Sequence, residues 1–263
     1  VDDLSVLRSG EISMFDGVGL TRTEFLFDGG DLPDEDKQYE AYASIMRWAA
    51  GRPVIIRTLD AGGDKPIPGV TFDNESNPFL GIRGYRLSRL RKPIFMQQLR
   101  ALARAAAIGP LKVMAPMITA PSEMSEFRLL FAEAVDELQR EGVTCAMPAL
   151  GLMIEVPAAA LGIGRFDADF YSIGSNDLVQ YVTACARDNA LLMQIARPDD
   201  PAVLHLIGLI AAEATFLKKE VSVCGDMASM PSMIPLLLRA GIRALSISPG
   251  QAPAIKESIS KWG

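Results

Sequence analysis

The stretch Asp169-Phe170-Tyr171-Ser172-Ile173-Gly174-Ser175-Asn176-Asp177-Leu178-Val179-Gln180-Tyr181 decides how this chain is read. Residues 170–173 are a short apolar run with the length of a buried strand, and Gly174 with Ser175 stops it abruptly. The polar pair Asn176-Asp177 follows just past the strand's C-terminal end. In α/β folds ligands bind at that edge, because loops there vary while the strands hold them rigid. A carboxylate so placed can hold a divalent cation, and a neighbouring Asn can hydrogen-bond an oxyanion. Asp is also a preferred helix N-cap, so Asp177 taken alone equally marks the start of a helix. Matching chemistry at other strand ends favours the ligand reading.

Working outward, strand-like runs recur at residues 17–20, 54–58, 79–82, 112–117, 150–156, 170–173, 221–224 and 244–248. Helical patterns fill most gaps, at 34–50, 93–108, 121–141, 201–217, 231–240 and 253–262. Several open on Pro, whose missing N–H costs nothing in a first turn. Eight strands alternating with helices predict an α/β fold, a (β/α)8 TIM barrel in a single domain covering residues 1–263. An open doubly wound sheet is the alternative, since periodicity does not distinguish closure from openness. Residues 57–78 break the alternation: rich in Gly, Pro, Asp and Asn, they read as a long loop, and long loops in compact domains tend to be functional or disordered.

Composition narrows the function classes. A net charge of −6 argues against general binding to nucleic acid or anionic membranes. Any anionic ligand must be held by a local cluster of Arg or Lys. No apolar run reaches the roughly 18 residues of a membrane span. Residue 1 is Val and no signal segment follows, so the reading is of a cytoplasmic piece cut from a longer chain. Cys145, Cys185 and Cys224 lack metal-type spacing, and the lone His205, in a helical pattern, has no ligand partners nearby in sequence.

Residues just after the strands of a barrel face one mouth. They are Arg22, Arg57, Arg83, Glu155, the Asn176-Asp177 pair and Cys224, with Arg187 able to fold back from a loop. That set suits a phosphorylated carboxylic acid bound with a metal. The planar guanidinium fork matches phosphate and carboxylate, and two carboxylates with open positions suit Mg²⁺. Bland readings stand beside these. Most Arg are solvated surface residues, Glu24 could pair with Arg22 in a helical turn, and a free Cys is commonly core. Glu155 resists dismissal, because a lone carboxylate inside the apolar run Leu152-Met153-Ile154-Glu155-Val156 is costly to bury.

Several strings carry a family resemblance. They are Gly17-Val18-Gly19-Leu20-Thr21-Arg22-Thr23-Glu24-Phe25-Leu26-Phe27, Arg57-Thr58-Leu59-Asp60-Ala61-Gly62-Gly63-Asp64-Lys65 and Asn77-Pro78-Phe79-Leu80-Gly81-Ile82-Arg83. Met153-Ile154-Glu155-Val156-Pro157-Ala158, Ser172-Ile173-Gly174-Ser175-Asn176-Asp177-Leu178 and Val223-Cys224-Gly225-Asp226 complete the set. Together they resemble the C-terminal domain of phosphoenolpyruvate–protein phosphotransferase, enzyme I of the bacterial sugar phosphotransferase system. Pyruvate phosphate dikinase and phosphoenolpyruvate synthase share the Asn-Asp-Leu motif, while the string 57–65 is similar to the phosphotransferase branch.

The resemblance implies a barrel that binds phosphoenolpyruvate with Mg²⁺ and forms a homodimer. It implies phosphoenolpyruvate binding by Arg22, Arg57, Arg187 and Asn176-Asp177, with Arg83 and Lys65 as further substrate-binding candidates. It implies Mg²⁺ ligation by Glu155 and Asp177, and Cys224 as the acid that protonates the enolate to give pyruvate. The family's phospho-accepting histidine belongs to an N-terminal domain with no counterpart in this sequence, and its product passes to a histidine-containing phosphocarrier protein. Two departures stand beside the proposed acid: Asp226 where the family usually has Glu, and Ser229 where it usually has Gly. Two alternatives stand open, the first favoured by these departures and the second by the use of Glu and Asp on a metal in such barrels. One is a phosphoenolpyruvate-sensing module without chemistry, the other a Mg²⁺-dependent lyase acting through a pyruvate enolate.

Overall fold

The structure, a computed structural model, describes residues 1–2, 4–5, 12–27, 32–63, 66–72 and 75–262. It comprises two compact units, residues 1–117 with 125–150 and residues 118–124 with 151–263.

In the first unit, β1 (Val18–Thr21), β2 (Val54–Arg57) and β3 (Leu111–Ala115) lie parallel in that order. The β2–β3 register pairs Ile55 with Lys112 and Ile56 with Val113. Helix α1 (Glu35–Trp48) follows β1, and its first turn is capped by Asp34, whose Oδ1 accepts from Lys37 N at 2.8 Å. Such a cap contributes about 1 kcal/mol. Helices α2 (Tyr85–Leu90) and α3 (Lys92–Ala106) follow β2, and α4 (Pro121–Arg140) follows β3. Tyr85, Phe95, Phe127 and Phe131 stack edge to face and face to face at centroid spacings of 6.0–6.2 Å, all buried.

In the second unit, β4 (Ala149–Ile154), β5 (Phe170–Gly174) and β6 (Glu220–Cys224) are again parallel neighbours. The register pairs Met153 with Ser172, and Gly174 with Cys224. That last pairing sets the Cys224 side chain level with the end of β5. The short α5 (Pro157–Ala160) follows β4, α6 (Ser175–Thr183) and α7 (Pro201–Phe216) follow β5, and α8 (Ile234–Arg239) and α9 (Ala252–Ser260) follow β6. α6 begins on the residue after β5 ends, so Asn176 and Asp177 occupy its first turn.

The α/β class of TIM-barrel type predicted from the sequence is the class found. The strand count differs: six parallel strands occur among the described residues. The predicted third strand, 79–82, is instead a 3-10 turn, Pro78–Leu80, because Pro78 removes a ladder donor and Leu80 lies 64% exposed. Its remaining apolar residue, Ile82, packs on a small core that Leu59, Ala61, Ile67 and Val70 of the long loop form with Phe27 and, from α2, Leu87. The predicted strand 244–248 contracts to a single bridge, Val223 to Leu245, held by Val223 N donating to Ala244 O and Ser246 N donating to Val223 O.

Candidate functional site

At the C-terminal ends of β1 and β2 the first unit carries an ionic group. The Arg57 guanidinium donates to Glu24 Oε1 at 3.0 Å and reaches Asp60 Oδ2 at 2.8 Å. Arg83 grips the same Asp60 with two donors, Nη2 to Oδ2 at 2.9 Å and Nε to Oδ1 at 3.3 Å. Arg83 is only 1% exposed. Asp60 N donates to Glu24 Oε1 at 2.9 Å, which closes the ring of charges. Buried charges persist only when paired and hydrogen-bonded in this way.

Neutral groups hold the backbone beneath. Thr23 Oγ1 donates to Arg57 O, Gln98 Nε2 donates to Thr23 Oγ1 and Tyr42 OH, and Leu59 N donates to Gln98 Oε1. Burial pushes the Tyr42 phenol far above its ordinary range, so it stays a neutral member of that chain.

Two sequence readings change here. Glu24 pairs with Arg57, not with Arg22. Arg22 is 35% exposed at its side chain and reaches Asp2 Oδ1 at 3.1 Å. Arg83 precedes α2 by way of Gly84, a position reached from the long loop and not from a strand. Gly62, at φ +100, passes so near that a Cβ there would lie 2.6 Å from Ile82 O and 2.9 Å from Arg83 Cβ. Lys65 lies outside the described residues.

The second unit gathers the other candidates at the ends of β4, β5 and β6. Cys224 Sγ, buried, donates to Ile173 O at 3.3 Å and accepts from Ser172 Oγ at 3.5 Å, while Ser222 Oγ donates to Ser172 Oγ. Ser175 Oγ donates to Cys224 O at 2.7 Å. Asn176 and Asp226 bond reciprocally, Asn176 Nδ2 donating to Asp226 Oδ2 at 3.1 Å and Asp226 N donating to Asn176 Oδ1 at 2.9 Å. Arg187 comes back from its loop to within 3.4 Å of Asp177 Oδ2, with its own N donating to Gln180 Oε1. Ser229 Oγ accepts from Ser248 N, which ties the turn after β6 to the segment beyond α8.

Glu155 and Asp177 are 1% and 5% exposed. An ideal Cβ at Gly174 would sit 2.8 Å from Glu155 Oε2, so that carboxylate lies against the residue ending β5, three positions before Asp177. Among the described residues no cluster of three or more His, Cys, Asp and Glu is present. Two carboxylates at the ends of neighbouring strands, Glu155 after β4 and Asp177 after β5, are of the type that fits a hard cation keeping several waters and taking ligand oxygens, and fit a cation needing a full protein cage poorly. His205 is exposed on α7, away from any such group of ligands among the described residues.

A family model described as PEP-utilising enzyme, PEP-binding domain, matches residues 2–262. The chain belongs to the PEP-utilising enzymes. Within that family, its sequence is 43% identical over 237 residues to the phosphoenolpyruvate-protein phosphotransferase of Geobacillus stearothermophilus, covering 89% of this chain and 41% of that one. The enzyme of the same name from Bacillus subtilis (strain 168) is 40% identical over 250 residues, with 94% and 44% covered. That from Haloferax volcanii is 42% identical over 253 residues, with 94% and 45% covered. The chain thus spans less than half the length of these curated relatives. Among solved structures, a Haloferax volcanii malate synthase in complex with magnesium and glyoxylate has a TM-score of 0.55 at 12% identity, covering 86% of this chain and 60% of that one. A citrate lyase from Burkholderia xenovorans LB400 has a TM-score of 0.52 at 18% identity, covering 84% and 63%. At such identities the likeness concerns the fold alone.

Sequence reasoning missed the residues that hold the candidates in place. Asp60 sits inside a quoted string, yet its role as clamp of two guanidinium groups depends on the path of the long loop. Ser172, Ser175 and Ser222 looked like strand and cap residues. The period-2 alternation of β5 and β6 was the available signal, since it puts Ser172, Ser222 and Cys224 on one face.

Proposed function

We propose that residues 1–263 form the phosphoenolpyruvate-binding catalytic domain of a phosphoenolpyruvate–protein phosphotransferase. The histidine that takes the phosphoryl group would come from an N-terminal domain of the full protein, and a histidine-containing phosphocarrier protein would receive it next. A cytoplasmic homodimer completes the reading. The observation that carries it is the family match over residues 2–262, joined to the chemistry at the ends of β4, β5 and β6: an amide, two buried carboxylates and a buried thiol.

In this reading Arg22, Arg57 and Arg187 bind the phosphate and carboxylate oxygens, with Arg83 and Lys65 in support. Asn176 donates an N–H to a phosphate oxygen. Glu155 and Asp177 would hold Mg²⁺, which when bound supplies positive charge at the phosphoryl and enolate oxygens. Burial of Arg57 and Arg83 against Glu24 and Asp60 fixes their forks before substrate arrives, so little side-chain entropy remains to be lost on binding. As the phosphoryl group passes to the imidazole nitrogen, the P–O bond breaks and its electron pair stays on the enolate oxygen. Cys224 gives its proton to the methylene carbon, and solvent returns a proton to the resulting thiolate. Cys224 Sγ, buried, donates to Ile173 O and accepts from Ser172 Oγ, which orients the thiol whose proton this step uses.

Pyruvate formation tests the proposal. The full-length protein should convert phosphoenolpyruvate to pyruvate when a phosphocarrier is supplied, residues 1–263 alone should not, and Cys224→Ala should abolish steady turnover by the full-length protein. Undiminished turnover by Cys224→Ala would leave the thiol without its role, and absence of turnover by the wild-type full-length protein would favour the sensing alternative. Aldol cleavage of 2-oxo acids by the chain would point to the lyase.

A further inference from the structure

Asn176 has a carboxamide that could face a ligand with either its oxygen or its nitrogen, and only the nitrogen can donate to an oxyanion. Which way it faces is fixed by bonds to the turn after β6. Asp226 N–H must meet an acceptor and Asp226 Oδ2 must meet a donor, at 2.9 Å and 3.1 Å. Only Oδ1 toward the backbone N–H and Nδ2 toward the carboxylate satisfies both, since the flipped amide would set N–H against N–H.

The surroundings leave this pair little freedom. Ser175, the residue before Asn176, donates to Cys224 O. Gly225 runs at φ +91, so close that a Cβ there would lie 2.5 Å from Ser175 Oγ and 2.6 Å from Asn176 Oδ1. One N–H of Asn176 Nδ2 is then engaged by Asp226, and the second points away from it.

We infer that Asp226 is a positioning residue for phosphoenolpyruvate binding: its carboxylate orients the Asn176 carboxamide so that the second Nδ2 hydrogen is presented to the ligand phosphate. This deepens the proposed function and rests on it for the ligand. It also assigns the Asp-for-Glu departure at this position to phosphate recognition, whereas Cys224 Sγ is bonded to Ser172 and Ile173 on β5.

The test is a double-mutant cycle on residues 1–263, titrated calorimetrically with phosphoenolpyruvate and Mg²⁺. Asp226→Ala should weaken binding about tenfold, the scale of one charge-assisted hydrogen bond. Asp226→Asn, which keeps an acceptor for Nδ2, should stay within about threefold of wild type. In an Asn176→Ala background, Asp226→Ala should cost nothing further. Losses that add, or an Asp226→Ala protein that binds as wild type does, overturn the inference. A second readout needs no ligand: in ¹⁵N spectra the Asn176 side-chain amide should be shifted and slow to exchange in the wild type, and free-amide-like in Asp226→Ala. A free-amide signal in the wild type contradicts the inference even if phosphoenolpyruvate binds. Absence of phosphoenolpyruvate binding by a wild type with the shifted amide would instead sink the proposed function while leaving the Asp226–Asn176 pair standing.

Discussion

The ends of β1 and β2 and the ends of β5 and β6 are both polar, but the first group is the more deeply buried and the two are held by different means. The first is ionic: two guanidinium groups share Asp60, with Glu24 as second partner, and the anchors come from three separate stretches of chain. The second is a lattice of single hydrogen bonds among Ser172, Ser175, Ser222, Asn176, Cys224 and Asp226, all within two neighbouring strands and the residues that follow them. Charge pairs confer rigidity at the risk of a large penalty when one partner is lost. The hydrogen bonds of the second group orient a thiol and an amide, the Asn176–Asp226 bond being charge-assisted, and Arg187 with Asp177 adds one ion pair. Permanent cations suit binding a fixed anion.

Removing a partner from the ionic group should give the largest effect. Asp60→Ala leaves two buried guanidinium groups without their shared carboxylate, and we expect about 3–5 kcal/mol of lost stability by denaturant unfolding. A loss under about 1 kcal/mol would mean the charges are solvated and the contrast false. Next comes Gly225→Ala, which combines a backbone conformation disfavoured for side chains with overlap onto Ser175 and Asn176. About 2–4 kcal/mol should be lost there.

Gly174→Ala is milder in stability, about 1–3 kcal/mol, because flexible Met153 can give way. Its sharper effect is on Glu155, whose carboxylate the new methyl displaces, so any Mg²⁺-dependent gain in phosphoenolpyruvate affinity should shrink severalfold. A Gly174→Ala protein with normal metal dependence would separate Glu155 from the cation.

The smallest effect concerns pH. Burial pushes the Tyr171 phenol up to about 12, helped by the negative charge of Glu213 and Asp167, while its hydroxyl donates to Ile163 O. Its folded pKa is raised, so its contribution is complete below the unfolded value near 10 and is lost as pH rises through about 12. Melting temperatures between pH 9 and 11.5 should fall more steeply for the wild type than for Tyr171→Phe. Parallel curves would remove Tyr171 as the cause.

The fold was legible where strands are continuous buried apolar runs, as 170–173 and 54–57 are, because a parallel strand covered on both faces leaves an unmistakable pattern. The run 79–82 is apolar too, yet it belongs to a loop, and its Ile82 packs on a core that the loop shares with Phe27 and Leu87. Local pattern carries no information about which core a residue joins. The chemistry of the site was legible from residue type: Glu155 stood out as a carboxylate inside an apolar run, and it is indeed buried beside the end of β5. Its supports were not. That Glu24 serves Arg57, that Asp60 clamps Arg83, and that Asp226 turns toward Asn176 all depend on contacts between residues 23 to 50 positions apart, which only the folded backbone sets.

The proposal that Glu155 serves a metal-dependent anion is tested by calorimetric titration of residues 1–263 with phosphoenolpyruvate, with and without Mg²⁺, on the wild type and on Glu155→Ala. The account predicts saturable one-site binding that Mg²⁺ tightens at least tenfold in the wild type, and a Glu155→Ala protein in which Mg²⁺ makes little difference. Binding by the wild type that is absent, or the same with and without Mg²⁺, would contradict it.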